Sequence, residues 1–393
     1  MSLALFSGSA IAFAQKKYDP GASDTEIKIG NVAPYSGPAS SLGLVGKIEA
    51  AYFKMINDAG GIHGRKINFI SNDDAYSPAK SVEQTRKLVE SDEVLLVFGS
   101  IGTATNLAVQ KYLNARKVPQ LFVASGATRW NDPKQFPWTL PWQPLYQTDG
   151  HVFAKYILKE KPDARIAILY QNDDFGRDYL KGLRDGLGAD VSKIVAEESY
   201  ETSAPTIDSQ IIKLKTTGAD VLVNISIPRF AAQGIRKLAE IGWKPLHLVT
   251  VISASIGQTM KPAGLENAQG VISAFFVKDA TDVRWNDDGG MKNYFQFMKE
   301  YAPSVDRTDY YSLYGYSAAQ ALVQVLLQCG DNLTRENVMK QAANLRDFRS
   351  EVMLPGITVN TSPTDYATIK HLQLMRLKGE QWEALGGLLR GDE

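Results

Sequence analysis

The sequence predicts an α/β protein of two doubly wound, Rossmann-like lobes. Apolar, β-branched-rich runs alternate with stretches of helical period in residues 26–130 and again in 146–251. That alternation is the pattern of parallel strands joined by right-handed crossover helices. Between the two series, residues 130–146 break the period with Pro133, Pro137, Pro141 and Pro144. A chain of 393 residues also exceeds what one core ordinarily organises.

The first series opens with an alternating strand, Glu26 to Val32, and a turn-rich loop, Pro34 to Gly43. A helix over 43–59 follows, with Val45, Ile48, Tyr52, Met55 and Ile56 on one face. Gly60-Gly61 ends it, because glycine accepts the left-handed cap conformation. Strand 66–71 leads to Asn72-Asp73-Asp74, and Ser77-Pro78 supplies an N-cap and first residue for the next helix. Val94 to Phe98 is continuously apolar, as in a strand buried on both faces. Gly99 and Gly102 break it, and Thr103 starts a helix carrying Leu107, Val109, Tyr112 and Leu113. Lys117-Val118-Pro119 closes that helix, since the residue before proline is pushed out of α geometry. Leu121 to Ala124 is the next strand, ending in the turn Ser125-Gly126-Ala127-Thr128. Two neighbouring strands thus end in turns rich in free N–H groups, a setting that suits an anion.

In residues 130–146, Trp130, Phe136, Trp138, Trp142 and Tyr146 lie on the proline-stiffened stretch. Composition favours a loop packed on its own aromatics over a cleft wall. The second series predicts helix 146–159, strand 165–170, helix 177–187 and strand 193–198. Helix 207–217, strand 220–227, helix 229–241 and strand 246–251 continue it. Val271 to Val277 reads as a strand that leaves this series. Helices 291–301, 311–328 and 335–345 come without strands between them, the last capped by Thr334. The segments 367–377 and 381–386 read as a hairpin turned at Lys378-Gly379-Glu380.

Composition limits the function. Hydrophobic residues make up 44% and charged residues 22%, the proportions of a globular protein. Forty-three basic residues balance 43 acidic ones, so no net field points to nucleic acid. Cys329 is the single cysteine, set beside an apolar run, and reads as a buried structural thiol. His63, His151, His247 and His371 are dispersed without metal-ligand spacing. Nucleophile-elbow, dinucleotide and P-loop motifs are missing, so neither an enzyme nor a cofactor is expected. Asp73-Asp74 and Asp173-Asp174 stand at strand ends, where capping the following turn is the expected role ahead of acid–base chemistry. Residues 1–14 hold an apolar stretch and an Ala12-Phe13-Ala14 site, predicting an export signal cleaved before Gln15.

The motifs IGNVAPYSGPASSLG, FGSIGTATN and VASGAT, in this order and spacing, resemble those of the branched-chain amino-acid-binding proteins of ABC importers. The resemblance runs from about Glu26 to the last strand. It implies the type I periplasmic binding protein fold, a Venus-flytrap whose chain crosses between lobes three times. By that analogy the crossings fall near Trp142 to Tyr146, Ser273 to Lys278 and Ser350 to Pro355. Lobe one then takes 26–145 and 276–352, and lobe two takes 146–275 and 353–390. In the family, positions matching Thr103, Gly126 and Thr128 hold the ligand's carboxylate through hydroxyls and backbone N–H groups. Ile101, Gly102 and Ala127 beside them, Tyr35 and Leu42 in the first loop, and Phe175, Ser226, Ser253 and Phe276 complete the expected site. The resemblance further implies an exported, periplasmic monomer that delivers a small organic solute to the permease subunits of an ABC importer, without cofactor, metal or nucleic acid.

The amine end departs from that pattern. Family members that bind amino acids place a carboxylate on the second lobe, whereas 248–255 contains no acidic residue and 224–229 offers Arg229 instead. A buried ammonium without a counter-charge costs several kcal/mol. The expected ligand is therefore a carboxylate lacking an α-ammonium, an aromatic or keto acid ahead of an aliphatic amino acid. Ser226, Ser253 and Ser255 would serve its hydroxyl or keto oxygen, and Tyr35, Trp130, Phe175 and Phe276 would supply aromatic walls. A ligand-sensing regulator of the same fold, acting on a partner protein, is the alternative. DNA-binding regulators of this fold would need a helix-turn-helix before the first strand, and residues 1–25 hold none.

Overall fold

A computed structural model describes residues 16–391. The predicted export signal, 1–14, lies outside the described residues. In chain order the strands are β1 (Lys17–Tyr18), β2 (Glu26–Ala33), β3 (Lys66–Asp73), β4 (Leu96–Phe98), β5 (Gln120–Val123), β6 (Thr139–Pro141) and β7 (Ile166–Gln171). They continue as β8 (Ile194–Tyr200), β9 (Val221–Ile225), β10 (Leu246–Val249), β11 (Ile272–Phe275), β12 (Asn332–Leu333), β13 (His371–Lys378) and β14 (Gln381–Arg390). The first lobe holds a parallel sheet in the order β3-β2-β4-β5-β6. The second holds β14-β13-β11-β10-β9-β7-β8, parallel from β11 to β8 and finished by the antiparallel hairpin β13–β14. The strand at Val271 to Val277 does not leave the second series. Its central residues form β11, which pairs in parallel with β10.

The crossings bring distant segments together. The first runs from β6 to the helix Tyr146–Glu160. At the second, Lys278 N–H donates to Val352 O (2.8 Å) and Leu354 N–H to Phe276 O (3.0 Å), so 276–278 and 352–354 form an antiparallel ribbon. The third return comes later than the expected Ser350 to Pro355. Val359 pairs with Phe348, Thr361 N–H donates to Leu345 O, and Tyr366 N–H donates to Asn131 Oδ1 (2.6 Å), all on the first lobe. Thr368 Oγ1 then bonds Trp142 O (2.9 Å), and the second sheet resumes at His371. Residues 359–366, given to lobe two by analogy, therefore bond to lobe one; aperiodic sequence such as Pro355-Gly356 and Ser362-Pro363 carries no strand or helix signal to place them.

The first lobe's core is threaded by edge-on aromatic pairs, Phe53–Phe98 (5.6 Å), Phe98–Phe122 (6.4 Å), Phe122–Trp142 (5.2 Å) and Trp142–Phe348 (6.2 Å). Such pairs add roughly 0.5–1.5 kcal/mol each beyond the area they bury. Trp142 Nε1–H finds Ser317 Oγ (3.0 Å), which fixes the first crossing to the helix Tyr310–Cys329. Trp130, Phe136 and Trp142 are buried, and Trp142 packs on Phe122 and Phe348, which lie outside the proline-stiffened loop.

The two aspartate pairs serve the backbone. Asp73 Oδ1 accepts from the N–H groups of Tyr35, Ser36 and Ala75, and Asp74 from Tyr76 N–H and Ser81 Oγ–H. Asp173 caps the helix Asp174–Leu187 by accepting from Phe175 and Gly176 N–H.

One buried acid has no such employment. Glu49, in the helix Leu44–Asp58, is fully buried beneath the cleft beside Gly99, and neither of its carboxyl oxygens has a partner. Burial holds its carboxyl well above the usual range. The folded state thus keeps a proton that the unfolded chain releases near its ordinary value of 4.5. The contribution of this group is complete below that pH and is lost as pH rises toward the folded value. Glu49→Gln should therefore match the wild type in urea melts at about pH 4 and exceed it increasingly toward about pH 8. Parallel stability–pH curves would contradict this.

Candidate ligand-binding site

The carboxyl ends of both parallel sheets face one cleft, the position where open α/β sheets take ligands. A cavity lies there. On the first lobe it is lined by Leu42, Val45, Tyr76, Ile101, Gly102 and Ala124. The second lobe contributes Phe175, Ile227 and Ile252, and the first crossing Gln143 and Tyr146. Tyr310, Tyr311 and Tyr314 close the wall from one helix. Among the described residues no charged side chain lines the cavity.

Its polar corner is built at the ends of β4 and β5. Gly102 takes φ 101°, a left-handed conformation that releases Thr103 to open the helix Thr103–Ala115. Thr103 Oγ1 lies 2.7 Å from Ser125 Oγ and 3.4 Å from the Tyr146 hydroxyl. Ser125 Oγ accepts from Trp130 Nε1–H (2.9 Å) and from Ala127 N–H (3.3 Å). The Tyr146 hydroxyl also donates to Ser125 Oγ (3.5 Å), so Thr103, Ser125 and Tyr146 share one hydroxyl network. Burial pushes the Tyr146 phenol up to about 12, so it stays neutral and can donate.

The neighbouring turn is occupied differently from expectation. A Cβ on Gly126 would stand 2.2 Å from Pro144 O and 2.7 Å from the Tyr146 ring, and Gly126 O accepts Tyr146 N–H (2.6 Å). The glycine is needed for the crossing to approach. Thr128 N–H donates to Asp178 Oδ2 (2.7 Å), a carboxylate from the second-lobe helix Asp174–Leu187, while Thr128 Oγ1 is buried without a partner.

Of the residues expected at the site, Leu42, Ile101, Gly102 and Phe175 line the cavity and Thr103 stands directly behind it. Ala127 is buried in its turn. Tyr35 is bonded to Ser71 Oγ (2.5 Å) outside the lining. Ser226 Oγ–H is spent on Asn224 Oδ1 and Ser253 Oγ–H on Ser226 O, so Ile227 and Ile252 present the second lobe's face instead. Ser255 bonds Asp309 Oδ2 (2.8 Å) across the cleft. Phe276 is core, edge-on to Tyr310 (6.4 Å) and Tyr314 (6.2 Å).

Sequence reasoning missed the tyrosines. Tyr76 follows Ala75 with both residues at positive φ (52° and 61°), a strain that the Asp73 and Asp74 carboxylates hold in place. Its ring lies against Gly102, where a Cβ would come within 2.6 Å of it. The run Tyr310-Tyr311-Ser312-Leu313-Tyr314 puts Tyr310 and Tyr314 on one helical face, a signal visible in the sequence that needed the topology to place it at the cleft. Tyr311 hydroxyl reaches Ile252 O (2.5 Å) on the other lobe. Among the described residues no cluster of His, Cys, Asp or Glu could hold a metal. Burial raises the Cys329 thiol to about 12, against any nucleophilic role.

Comparison with known proteins agrees with this architecture. The chain is 25% identical over 370 residues to Leu/Ile/Val-binding protein homolog 1 of Brucella suis, covering 91% of this chain and 95% of that one. It is 23% identical over 328 residues to homolog 7 of Brucella abortus, covering 81% of each. In structure it is similar to a branched chain amino acid ABC transporter protein from Thermus thermophilus with bound valine, with a TM-score of 0.84, 17% identity and coverage of 93% and 97%. A fatty acid ABC transporter substrate-binding protein from Thermomonospora curvata superposes with a TM-score of 0.78 at 18% identity, covering 95% of both chains. These neighbours share the two-lobed type I fold. The model of the periplasmic binding protein family matches residues 26–381, and the chain belongs to that family.

Proposed function

We propose that this protein captures a small carboxylate lacking an α-ammonium group, an aromatic or keto acid, by closing its lobes in the periplasm, and delivers it to the permease of an ABC importer. The observation that carries the ligand class is the cavity lining. It joins apolar and aromatic walls to hydroxyl donors and includes no acid to balance an amine. An ammonium set against Ile227 and Ile252 would lose its hydration without compensation, at a cost of several kcal/mol. A carboxylate at Thr103 would gain a charge-assisted bond of about 1.5–3 kcal/mol. Relatives with bound valine and with fatty-acid specificity indicate that one fold serves ligands with and without an amine.

A thermal-shift screen of leucine, valine and phenylalanine against benzoate, cinnamate, phenylpyruvate and aliphatic keto acids tests this reading. An aryl or keto acid should raise the melting temperature and the amino acids should not; stabilisation by the amino acids alone would refute the ligand class. Thr103→Ala should then weaken the bound acid by roughly tenfold or more.

Closure is tested separately. Thr128–Asp178 is a cross-lobe bond that the ligand does not make. Asp178→Ala should weaken binding of the same acid and expand the small-angle scattering profile of the unliganded protein toward an open form. Identical profiles for the two proteins would remove Asp178 from the closing device.

A further inference from the structure

Two hydroxyl groups on the cavity wall have no partner. Tyr310 is 6% exposed and Tyr314 4%, both line the cavity, and neither phenol oxygen makes a hydrogen bond. The adjacent Tyr311 is bonded to Ile252 O, so the gap is specific to these two. An unpaired buried hydroxyl is costly, and native proteins leave few of them. Each phenol also feels Tyr146, whose hydroxyl sits at Thr103 and Ser125. Thr128 N–H, expected to take the carboxylate, already holds Asp178.

We infer that Tyr310 and Tyr314 are ligand-positioning residues that donate to the carboxylate beside Thr103, supplying the bonds that the Thr128 turn does not. This rests on the reading that the cavity takes a carboxylate. Three features make the seat suitable for an anion. Its donors come from different elements: the first crossing and the helix Tyr310–Cys329 bring Tyr146, Tyr310 and Tyr314 to one cavity, and Thr103 stands behind Tyr146 at 3.4 Å. Burial keeps the phenols of Tyr310 and Tyr314 neutral. The two carboxyls that act on them, Asp149 on Tyr310 and Glu49 on Tyr314, are themselves raised by burial toward the uncharged form. Asp149 Oδ2 accepts from Tyr179 hydroxyl (3.0 Å) and its Oδ1 is unpaired.

Tyr310→Phe and Tyr314→Phe each remove one oxygen and leave the ring packing in place. Calorimetric titration of the full chain with cinnamate, with cinnamate methyl ester and with leucine reads the effect. Each variant should bind the carboxylate probe roughly tenfold or more weakly than wild type, and its preference for the acid over the ester should shrink in step. The unliganded variants should melt no lower than wild type, because the phenols they lose are unpaired. Unchanged affinity, or a lower melting temperature without ligand, would overturn the assignment. If leucine binds and cinnamate does not, the ligand class proposed above fails. The tyrosines are still decided in that case, since leucine presents the same carboxylate. A chain that binds no carboxylate overturns both.

Discussion

The structure of the cleft depends on one buried hydroxyl, Ser125 Oγ. It accepts from Trp130 Nε1–H and Ala127 N–H and lies 2.7 Å from Thr103 Oγ1. Through these bonds the end of β5, the start of the helix Thr103–Ala115 and the aromatic loop share one point. Tyr146 is drawn to the same place, its N–H on Gly126 O and its hydroxyl beside Thr103 and Ser125. A residue in the first crossing is therefore fixed by the same network that holds Thr103. In a dry interior such a network rigidifies only when each member is satisfied. Thr103, Ser125 and Tyr146 are joined in it by hydroxyl contacts of 2.7, 3.4 and 3.5 Å.

How far the sequence could be read depends on whether a signal was local. Four strands of the first lobe's parallel sheet were legible as apolar or alternating runs closed by turn residues, whereas β6 lay hidden in the proline-stiffened stretch. The turn after β5 was recognised as a place for N–H groups, but what binds there was not, since Asp178 lies 50 residues away and reaches Thr128 only across the cleft. Ser226 and Ser253 look like ligand hydroxyls in one dimension. In three, Asn224 and a backbone carbonyl use them first, and the neighbouring Ile227 and Ile252 turn to the cavity. The tyrosine wall was illegible for a topological reason. Tyr310–Cys329 comes late in the chain yet packs on Leu44–Asp58, with Gly315 closely approaching Val45 O and Ile48. The late return of the chain at Thr368 was hidden likewise, its evidence being bonds to Asn131 and Trp142 far upstream.

Closure has few polar contributors of its own. Thr128–Asp178, Ser255–Asp309 and Tyr311–Ile252 O cross between the lobes. Net contributions of roughly 0.5–1.5 kcal/mol for neutral bonds, and up to about 3 with a carboxylate, are comparable to the cost of ordering two lobes against each other. A ligand that bonds Thr103 on one lobe and packs on Ile227, Ile252 and Phe175 on the other adds its own affinity to the closed state alone. That difference is what shifts the population. Asp178 has a distinct part in this balance. It holds Thr128 N–H, so on the proposed reading a carboxylate ligand would be left to the hydroxyl corner.

Selectivity then comes as much from what the second lobe withholds as from what the first supplies. A pocket of apolar walls discriminates poorly among apolar tails, where one methylene is worth about 1–3 kcal/mol. It discriminates strongly against a charge it cannot match. Ile227 and Ile252 face the cavity, and Arg229, the nearest charge in sequence to Ile227, turns outward to Pro205 O and the Phe230 ring. An α-amino acid could place its carboxylate at Thr103 as well as any other acid. On the proposed ligand class, its ammonium would be stripped of water against isoleucine, at a cost of several kcal/mol. Rejection by uncompensated desolvation needs no residue aimed at the wrong ligand.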